Sequence, residues 1–320
     1  MGTRGSYAMS ELVALPEGRA SGITPLRMLR PFFAQVRRTR RCPRRPRLEG
    51  QVAVVTGATS GIGVEIARGL ARRGADLLLP CRSLPKGQRV AEGIRSEAPA
   101  RVSALELELA DLATVGPAAD AIEKMLAGRR IGLLVENAGL WPRRYTTTRQ
   151  GHEIAFGVNV LAHFALRQAL RARGLLRDAR VVVVTGDIYV LARECTPDFQ
   201  WHGRLGGLRA YCRSKLGNLW IAAELERRHP ELDVYAVHPG VVATQLGGSL
   251  GRLGDRLRQR LFLSPELGAQ TPLWCATQDG LERGGYYHNT AGLLRFTPRD
   301  PASDSAAAAR LWETCEALAK

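Results

Sequence analysis

From residue 48 onward, short apolar runs alternate with stretches whose apolar residues recur every three or four positions. Val52-Ala53-Val54-Val55 is apolar throughout and leads into Thr56-Gly57-Ala58-Thr59-Ser60-Gly61-Ile62-Gly63. Beyond it Val64, Ile66, Ala67, Leu70 and Ala71 share one helical face until Gly74. This pattern predicts a strand, a glycine turn and an amphipathic helix. Leu77-Leu78-Leu79 predicts a second buried strand ending near Pro80. The same reasoning predicts helices over 88–97, 118–126, 151–172, 211–228 and 268–277. Strands are predicted over 101–109, 131–135, 181–184 and 232–237, with a late one at Tyr286-Tyr287. Strands that are apolar on both faces and separated by helices imply a parallel sheet covered on both sides. No internal repeat breaks the pattern, so residues 48–320 read as one doubly wound α/β domain.

The composition, 45% apolar and 24% charged, supplies a full core and excludes a mostly disordered chain. Six cysteines without a C-x-x-C pair exclude a disulfide framework and zinc-ribbon spacing. His163, His202 and His238 show no metal-ligand spacing, so no metal is expected. No uncharged apolar run approaches the roughly 18–20 residues of a membrane-spanning helix. The charge of +16 is uneven: residues 1–47 hold eleven arginines against Glu11 and Glu17. Within this tail, residues 37–47 are dense in arginine and carry two prolines, which predicts an extended or disordered stretch.

Three readings of the tail stay open. It is a solvated linker, a mitochondrial presequence (against which Glu11 and Glu17 speak), or a basic arm on an anionic membrane. Met28-Leu29 and Phe32-Phe33 would give such an arm an apolar foot. No nucleic-acid module is recognisable, so no specific nucleic-acid partner is expected. The location is left open between cytoplasm and mitochondrion, intracellular in either case.

Chemistry enters at the glycine turn. Gly57, Gly61 and Gly63 stand where a strand becomes a helix, which allows a pyrophosphate to approach the helix N-terminus. An NAD site usually has a carboxylate about 20 residues on, at the end of the second strand. Here Pro80-Cys81-Arg82-Ser83 offers no acid, and Arg82 is available to a 2′-phosphate, so NADP(H) is favoured over NAD(H). Lys86 adds nearby charge. Tyr211-Cys212-Arg213-Ser214-Lys215 sets a phenol and an ammonium one helical turn apart. A neighbouring cation is expected to lower the phenol pKa towards neutrality and fit it for proton transfer.

Together these residues resemble the short-chain dehydrogenase/reductase family, and most its retinol-dehydrogenase-like branch. The matching pieces are the Thr56–Gly63 turn, Asp111-Leu112, Asn137-Ala138-Gly139, Asn159, Tyr211-x-x-x-Lys215 and His238-Pro239-Gly240-Val241-Val242-x-Thr244. The resemblance spans about residues 48–290 and implies a Rossmann-type domain that moves hydride between a nicotinamide and a lipophilic carbonyl or alcohol. It implies that Gly57, Ser60, Gly61, Ile62 and Gly63 meet the cofactor phosphates and ribose, and that Asp111 and Leu112 line the adenine. Asn137 and Gly139 would flank the cofactor, while Pro239, Val242 and Thr244 would border the nicotinamide. Lys215 would hold the nicotinamide ribose and acidify Tyr211, the general acid–base, and Asn159 would support a proton relay through water. A homodimer through two long helices would suit the family.

Two positions depart from the family. Glu136 stands where a second asparagine is usual, and Gly186 where a serine normally meets the substrate oxygen. Strand alternation turns Thr185 to the opposite face from residue 186, whereas an irregular strand end would let Asp187 or Tyr189 reach inward. The alternative to an active reductase is therefore a cofactor-binding protein with little or no turnover. A sugar-nucleotide epimerase shares the tyrosine and lysine, but little chain remains for its larger substrate domain. Phe199, Trp201, His202, Trp141 and the stretch 246–263 are expected near the substrate pocket, with the aromatics acting more as packing than as selective contacts. Cys212 is expected to be a packing residue.

Overall fold

The computed structural model describes residues 35–45, 47–242 and 262–320. Eight strands form one sheet: β1 (Val52–Val55), β2 (Asp76–Cys81), β3 (Val102–Glu106), β4 (Leu133–Glu136), β5 (Arg180–Val184), β6 (Asp233–His238), β7 (Tyr286–His288) and β8 (Gly292–Leu294). Their order is β3-β2-β1-β4-β5-β6-β7-β8. All neighbours are parallel except β7 and β8, so the sheet is the expected parallel one with a single antiparallel edge strand added. Gly292, at φ +73, helps reverse the chain into this edge strand.

The sheet grows in one direction from β1 through β2 and β3, and in the other from β1 through β4. Ligands bind open α/β sheets at such a switch point, beyond the carboxyl ends of the strands. On one face pack α1 (Gly61–Ala71) and α2 (Leu84–Glu97), followed later by α6 (Pro265–Gly268) and α7 (Gln270–Thr277). The other face carries α3 (Val115–Leu126), α4 (Ala162–Ala172), α5 (Gly206–Arg228) and α8 (Ser305–Leu318). Each layer buries its own apolar cluster, which is why the central strands are apolar on both faces.

The predicted helix over 151–172 is not uniform. It begins with Ile154–Phe156, passes through a π-helical turn at Gly157–Leu161 and continues as α4. Gly157 permits that start, because a Cβ there would fall 2.2 Å from Thr148 Cγ2. Helix α8 was not foreseen. Its Trp312 packs edge-on against Phe164 of α4, with ring centroids 4.9 Å apart, and stands under the Arg228 guanidinium at the end of α5.

Part of the basic tail also departs from expectation. Residues 35–38 form a helical turn, and Gln35 and Cys42 are buried against the domain. The Cys42 N–H donates to Gln270 Oε1 at 2.8 Å, Gln278 Nε2 donates to the Arg45 carbonyl at 2.7 Å, and Arg73 donates to the Pro43 carbonyl. Repulsion among the arginines is eased because Arg37, Arg38, Arg40, Arg41, Arg44, Arg45 and Arg47 are exposed, and Arg41 and Arg47 pair with Glu266 and Glu49. Met28-Leu29, Phe32-Phe33, Thr244 and most of the 246–263 stretch lie outside the described residues. Among the described residues, no helix is long and apolar enough to cross a membrane.

Candidate active site

The turn from β1 into α1 lies at the switch point. Gly57 has φ +67, and a Cβ on it would fall 2.7 Å from Ala138 Cα at the end of β4. A Cβ on Gly63 would fall 2.3 Å from the Gly57 carbonyl oxygen. Glycine is therefore required sterically at both positions. Ser60 precedes α1 without making a side-chain cap bond, and the first turn of the helix has no acid. The leading N–H groups at Gly61, Ile62 and Gly63 are left for an anion, so these residues fit a dinucleotide pyrophosphate.

One hydroxyl joins this turn to the next strand. Thr56 Oγ1 accepts from Asn137 N at 3.0 Å and Ala138 N at 3.1 Å, and lies 2.9 Å from His163 Nε2. His163 Nδ1 in turn faces the Asn159 carbonyl at 3.2 Å. That carbonyl only accepts, so the proton belongs on Nδ1 and Nε2 accepts from Thr56. Burial holds the His163 pKa below its ordinary value and so favours this neutral form. Asn137 Nδ2 donates to the Thr56 carbonyl at 3.1 Å.

Asn159 sits in the π-helical turn, a distortion frequent at functional sites. Its Oδ1 accepts from Leu140 N at 2.9 Å, and its Nδ2 donates to the Leu140 carbonyl and to Ser214 Oγ. Gly139 is close by, although a Cβ there would make only ordinary contact, at 3.5 Å from Asn159 Oδ1. From α5, Lys215 sends Nζ to the Val184 carbonyl at 3.0 Å, and Nζ lies 5.5 Å from the centre of the Tyr211 ring. Among the described residues, none hydrogen-bonds the Tyr211 hydroxyl. Trp141 stacks alongside the Tyr211 ring, centroids 5.5 Å apart and planes 8° from parallel.

The electrostatics differ from expectation. Burial pushes the Tyr211 phenol up to about 12, with Cys212 adding to the rise. Burial also lowers Lys215 from 10.5 to about 8. Desolvation therefore outweighs the attraction of the amine for a phenolate in this geometry.

The cofactor-side residues divide into two groups. Ile62 and Val242 converge where Gly268 has no side chain: a Cβ there would lie 3.3 Å from Ile62 Cγ1 and 2.5 Å from Val242 Cγ2. Pro239 is buried just beyond β6, and Val242 pairs with Leu263 in an isolated bridge. Arg82 and Asp111 sit at the periphery. Arg82 follows β2 with its side chain 81% exposed, 3.8 Å from Glu108. Asp111 caps the turn Leu112–Thr114, accepts from Gln150 Nε2 at 2.8 Å and pairs with Arg149.

Gly186 is extended, at φ −177, so its conformation does not demand glycine. A Cβ there would meet only His238 Nδ1 within 4 Å, at 3.8 Å. Among the described residues, none of Thr185, Asp187 and Tyr189 replaces the missing hydroxyl. Thr185 Oγ1 donates to the Lys215 carbonyl at 2.8 Å, and Tyr189 is fully buried with its hydroxyl on Asp300. Asp187 is also turned away from the cleft: it accepts from Tyr286 Oη at 2.5 Å and His288 Nε2 at 2.8 Å. Burial alone would raise Asp187, but His238, His288 and Tyr286 hold it well below the usual carboxylate range.

Asp187, His238 and His288 form a buried group whose ligand atoms lie within 4.8 Å of one another. The Asp187 N–H donates to His238 Nδ1 at 3.3 Å, and the Thr290 N–H to His288 Nδ1 at 3.1 Å. Both rings thus carry their proton on Nε2, facing the carboxylate. The lone pairs a metal would need point at backbone donors, and the group is a hydrogen-bonded carboxylate. Its members come from three separate strand ends, so sequence spacing gave no signal for it.

Glu136, the other departure, is explained by packing. It pairs at 2.5 Å with Arg167 of α4, their side chains 4% and 0% exposed. The carboxylate faces the α-helical layer and takes no part in the cleft. His163 and Ser214, which the sequence reading gave no role here, hold the site together through Thr56 and Asn159.

Lys215 carries a measurable cost. Below pH 8 it is protonated in both folded and unfolded chains, and the folded state bears the full penalty of a buried cation. Between about 8 and 10.5 the folded state releases the proton first, so wild-type stability gains with rising pH. Lys215→Met is expected to be more stable than wild type at pH 7, by roughly 2 kcal/mol after discounting the lost hydrogen bond. That advantage should fade between pH 8 and 10.5 in denaturant titrations; a pH-independent difference would contradict the assignment.

Comparison with known proteins matches this arrangement. A family model described as short chain dehydrogenase covers residues 51–192. Retinol dehydrogenase 12 of Mus musculus is 36% identical over 288 residues, 87% of this chain and 89% of the relative. Retinol dehydrogenase 13 of Homo sapiens is 34% identical over 286 residues, 85% of each chain. Among solved structures, a putative uncharacterized protein from Mycobacterium paratuberculosis aligns with TM-score 0.67 at 32% identity, covering 86% of this chain and 95% of the other. A short chain dehydrogenase from Burkholderia cenocepacia in complex with NADP aligns with TM-score 0.63 at 26% identity, covering 77% and 99%. The chain thus belongs to the short-chain dehydrogenase/reductase family of nicotinamide-dependent oxidoreductases, in its retinol-dehydrogenase-like branch.

Proposed function

We propose that this protein is an NADP(H)-dependent oxidoreductase acting on a lipophilic carbonyl or alcohol, with Tyr211 as general acid–base. The observation that carries this is the meeting of Tyr211, Lys215 and Asn159 beside the uncapped start of α1. Gly57, Gly61 and Gly63 would hold a nicotinamide dinucleotide whose chemistry, when bound, would be hydride transfer. Burial keeps the Tyr211 phenol protonated at neutral pH, the form that donates to a carbonyl oxygen as negative charge builds there. Lys215, near half-charged at pH 8, stabilises the phenolate that results. Asn159 fixes the Leu140 backbone and Ser214 so that both flanks of the cleft keep their spacing.

Arg82 supports NADP(H), since its side chain is 81% exposed with only a long 3.8 Å ion pair to Glu108, and no acid stands at the end of β2. The NADP bound to the Burkholderia cenocepacia relative supports the same cofactor class. Trp141 against Tyr211, Tyr145 against Trp201 and the exposed Leu205 give the mouth an apolar character that suits a lipophilic substrate. The names of the relatives make retinoids the first substrates to test. The exposed tail arginines support contact with an anionic membrane surface.

Tyr211→Phe is expected to lower kcat by about 10²–10⁴ while leaving the NADPH Kd within about twofold. Activity equal to wild type would remove Tyr211 from the mechanism. Arg82→Ala should weaken NADPH by roughly tenfold or more and leave NADH little changed. A matched loss for both cofactors would contradict 2′-phosphate recognition.

A second reading, a cofactor-binding protein without turnover, is favoured because, among the described residues, Thr185, Asp187 and Tyr189 offer no donor in place of a side chain at Gly186. The space around Gly186 accepts a serine without a clash. Gly186→Ser is expected to raise turnover by about tenfold or more, because an oxyanion-type donor typically contributes about 10²–10³. Turnover appearing only in this variant would establish the silent reading for the native protein. Brisk wild-type turnover with no gain would show that the hydroxyl is not limiting.

A further inference from the structure

We infer that Gln35, in the basic N-terminal segment, is a positioning residue for the cofactor site and acts through the backbone of Val241. The inference rests on the reading that Pro239–Val242 border the nicotinamide. Gln35 is 2% exposed. Its Oε1 accepts from the Val241 N–H at 2.9 Å, and its Nε2 donates to the Val241 carbonyl at 3.3 Å. One amide thereby meets both polar groups of one residue, as a neighbouring strand would do in a sheet ladder.

The loop needs such a partner. The β6–β7 ladder ends at His238, and Gly240 then turns the chain at φ +88, a conformation other residues rarely adopt. A Cβ on Gly240 would fall 2.5 Å from Leu263 Cδ1, 2.7 Å from Asn289 Nδ2 and 3.0 Å from Gln35 Oε1, so Gln35 forms one wall of the turn.

Further attachments set Gln35 in place. Asn289 Nδ2 donates to Thr39 Oγ1 at 2.9 Å, Arg41 pairs with Glu266 at 2.8 Å, and the Cys42 N–H meets Gln270 Oε1 at 2.8 Å. On the inner side, His238 is held by the Asp187 N–H and lies tilted against His288, ring centroids 4.8 Å apart. The loop is therefore gripped from within by the sheet and, beside Val242, by Leu263, whose N–H shares the Val241 carbonyl at 3.0 Å. From outside it is gripped by the N-terminal segment, which alone among the described residues meets the Val241 N–H. A site that must fix a ring against a substrate tolerates about 0.5 Å of error, which a loop held on one side alone exceeds readily.

The test uses the full-length chain with NADPH as ligand. Gln35→Met keeps the shape and removes both hydrogen bonds; Gln35→Glu keeps an acceptor for Val241 N–H but sets a carboxylate against its carbonyl. Both variants are expected to raise the NADPH KM by roughly three- to thirtyfold, with kcat within about twofold. In the protein without NADPH, the Val241 amide should exchange hydrogen about tenfold faster or more, while β5 and β6 stay protected. Exchange and KM both unchanged in Gln35→Met and Gln35→Glu would overturn the inference. So would a loss of protection spread across the strands, which marks a merely structural role. Val242→Asp, tested in parallel, separates the two levels of argument. If it weakens NADPH while the Gln35 variants do not, only the Gln35 assignment fails. If none of the three alters NADPH binding, the placement of the loop beside the nicotinamide fails as well.

Discussion

The hydroxyl of Thr56 fixes the relation between the two halves of the sheet on which everything else depends. It accepts from two backbone N–H groups just beyond β4 and donates its own hydrogen bond to His163 on one helical layer. With those bonds in place, Gly57 can approach Ala138 so closely that no side chain fits between them. The glycine turn, the Asn137-Ala138-Gly139 segment and the π-helical turn bearing Asn159 then share one rigid reference point. Buried polar groups of this sort stabilise modestly when satisfied and cost heavily when one partner is lost.

Charge is handled in three different ways within a short distance. Glu136 and Arg167 neutralise each other in a dry layer, although Arg167 Nε and Nη2 are left without partners. Such a pair is weak evidence for stability, since desolvation consumes much of its attraction. Asp187 accepts from two donors, Tyr286 and His288, with His238 3.8 Å away, and ties the ends of β6 and β7 together beneath the cleft. Among the described residues, Lys215 Nζ donates to the Val184 carbonyl and lies 5.5 Å from the Tyr211 ring centre, with no carboxylate paired to it to offset its burial. An uncompensated cation at a cleft is better suited to binding and proton transfer than to holding a fold together.

Much of the fold was legible because the central strands are buried on both faces and the helices on one, so their periods differ plainly along the chain. Val52–Val55 and Arg180–Val184 needed no tertiary information. Helix α8 was not legible: its run of alanines carries little periodic contrast, and its Trp312 gains meaning only against Phe164 and Arg228. The antiparallel β8 was hidden for a related reason, being three residues long with only one of them buried. Residues 35–45 read as a solvated tail because their charge is conspicuous, while the neutral side chains that attach them are not.

The sequence alone determined the succession of strands and helices from β1 to β7, the glycines of the turn, and the one-turn spacing of Tyr211 and Lys215, because each depends on neighbours along the chain. Only the tertiary structure decided how those two groups titrate, since desolvation comes from atoms distant in sequence and here prevails over the attraction between neighbours. The surroundings of Gly186 were settled in the same way. Whether Thr185, Asp187 or Tyr189 faced the cleft depended on partners at Lys215, Tyr286, His288 and Asp300, which meet them only once the sheet has closed.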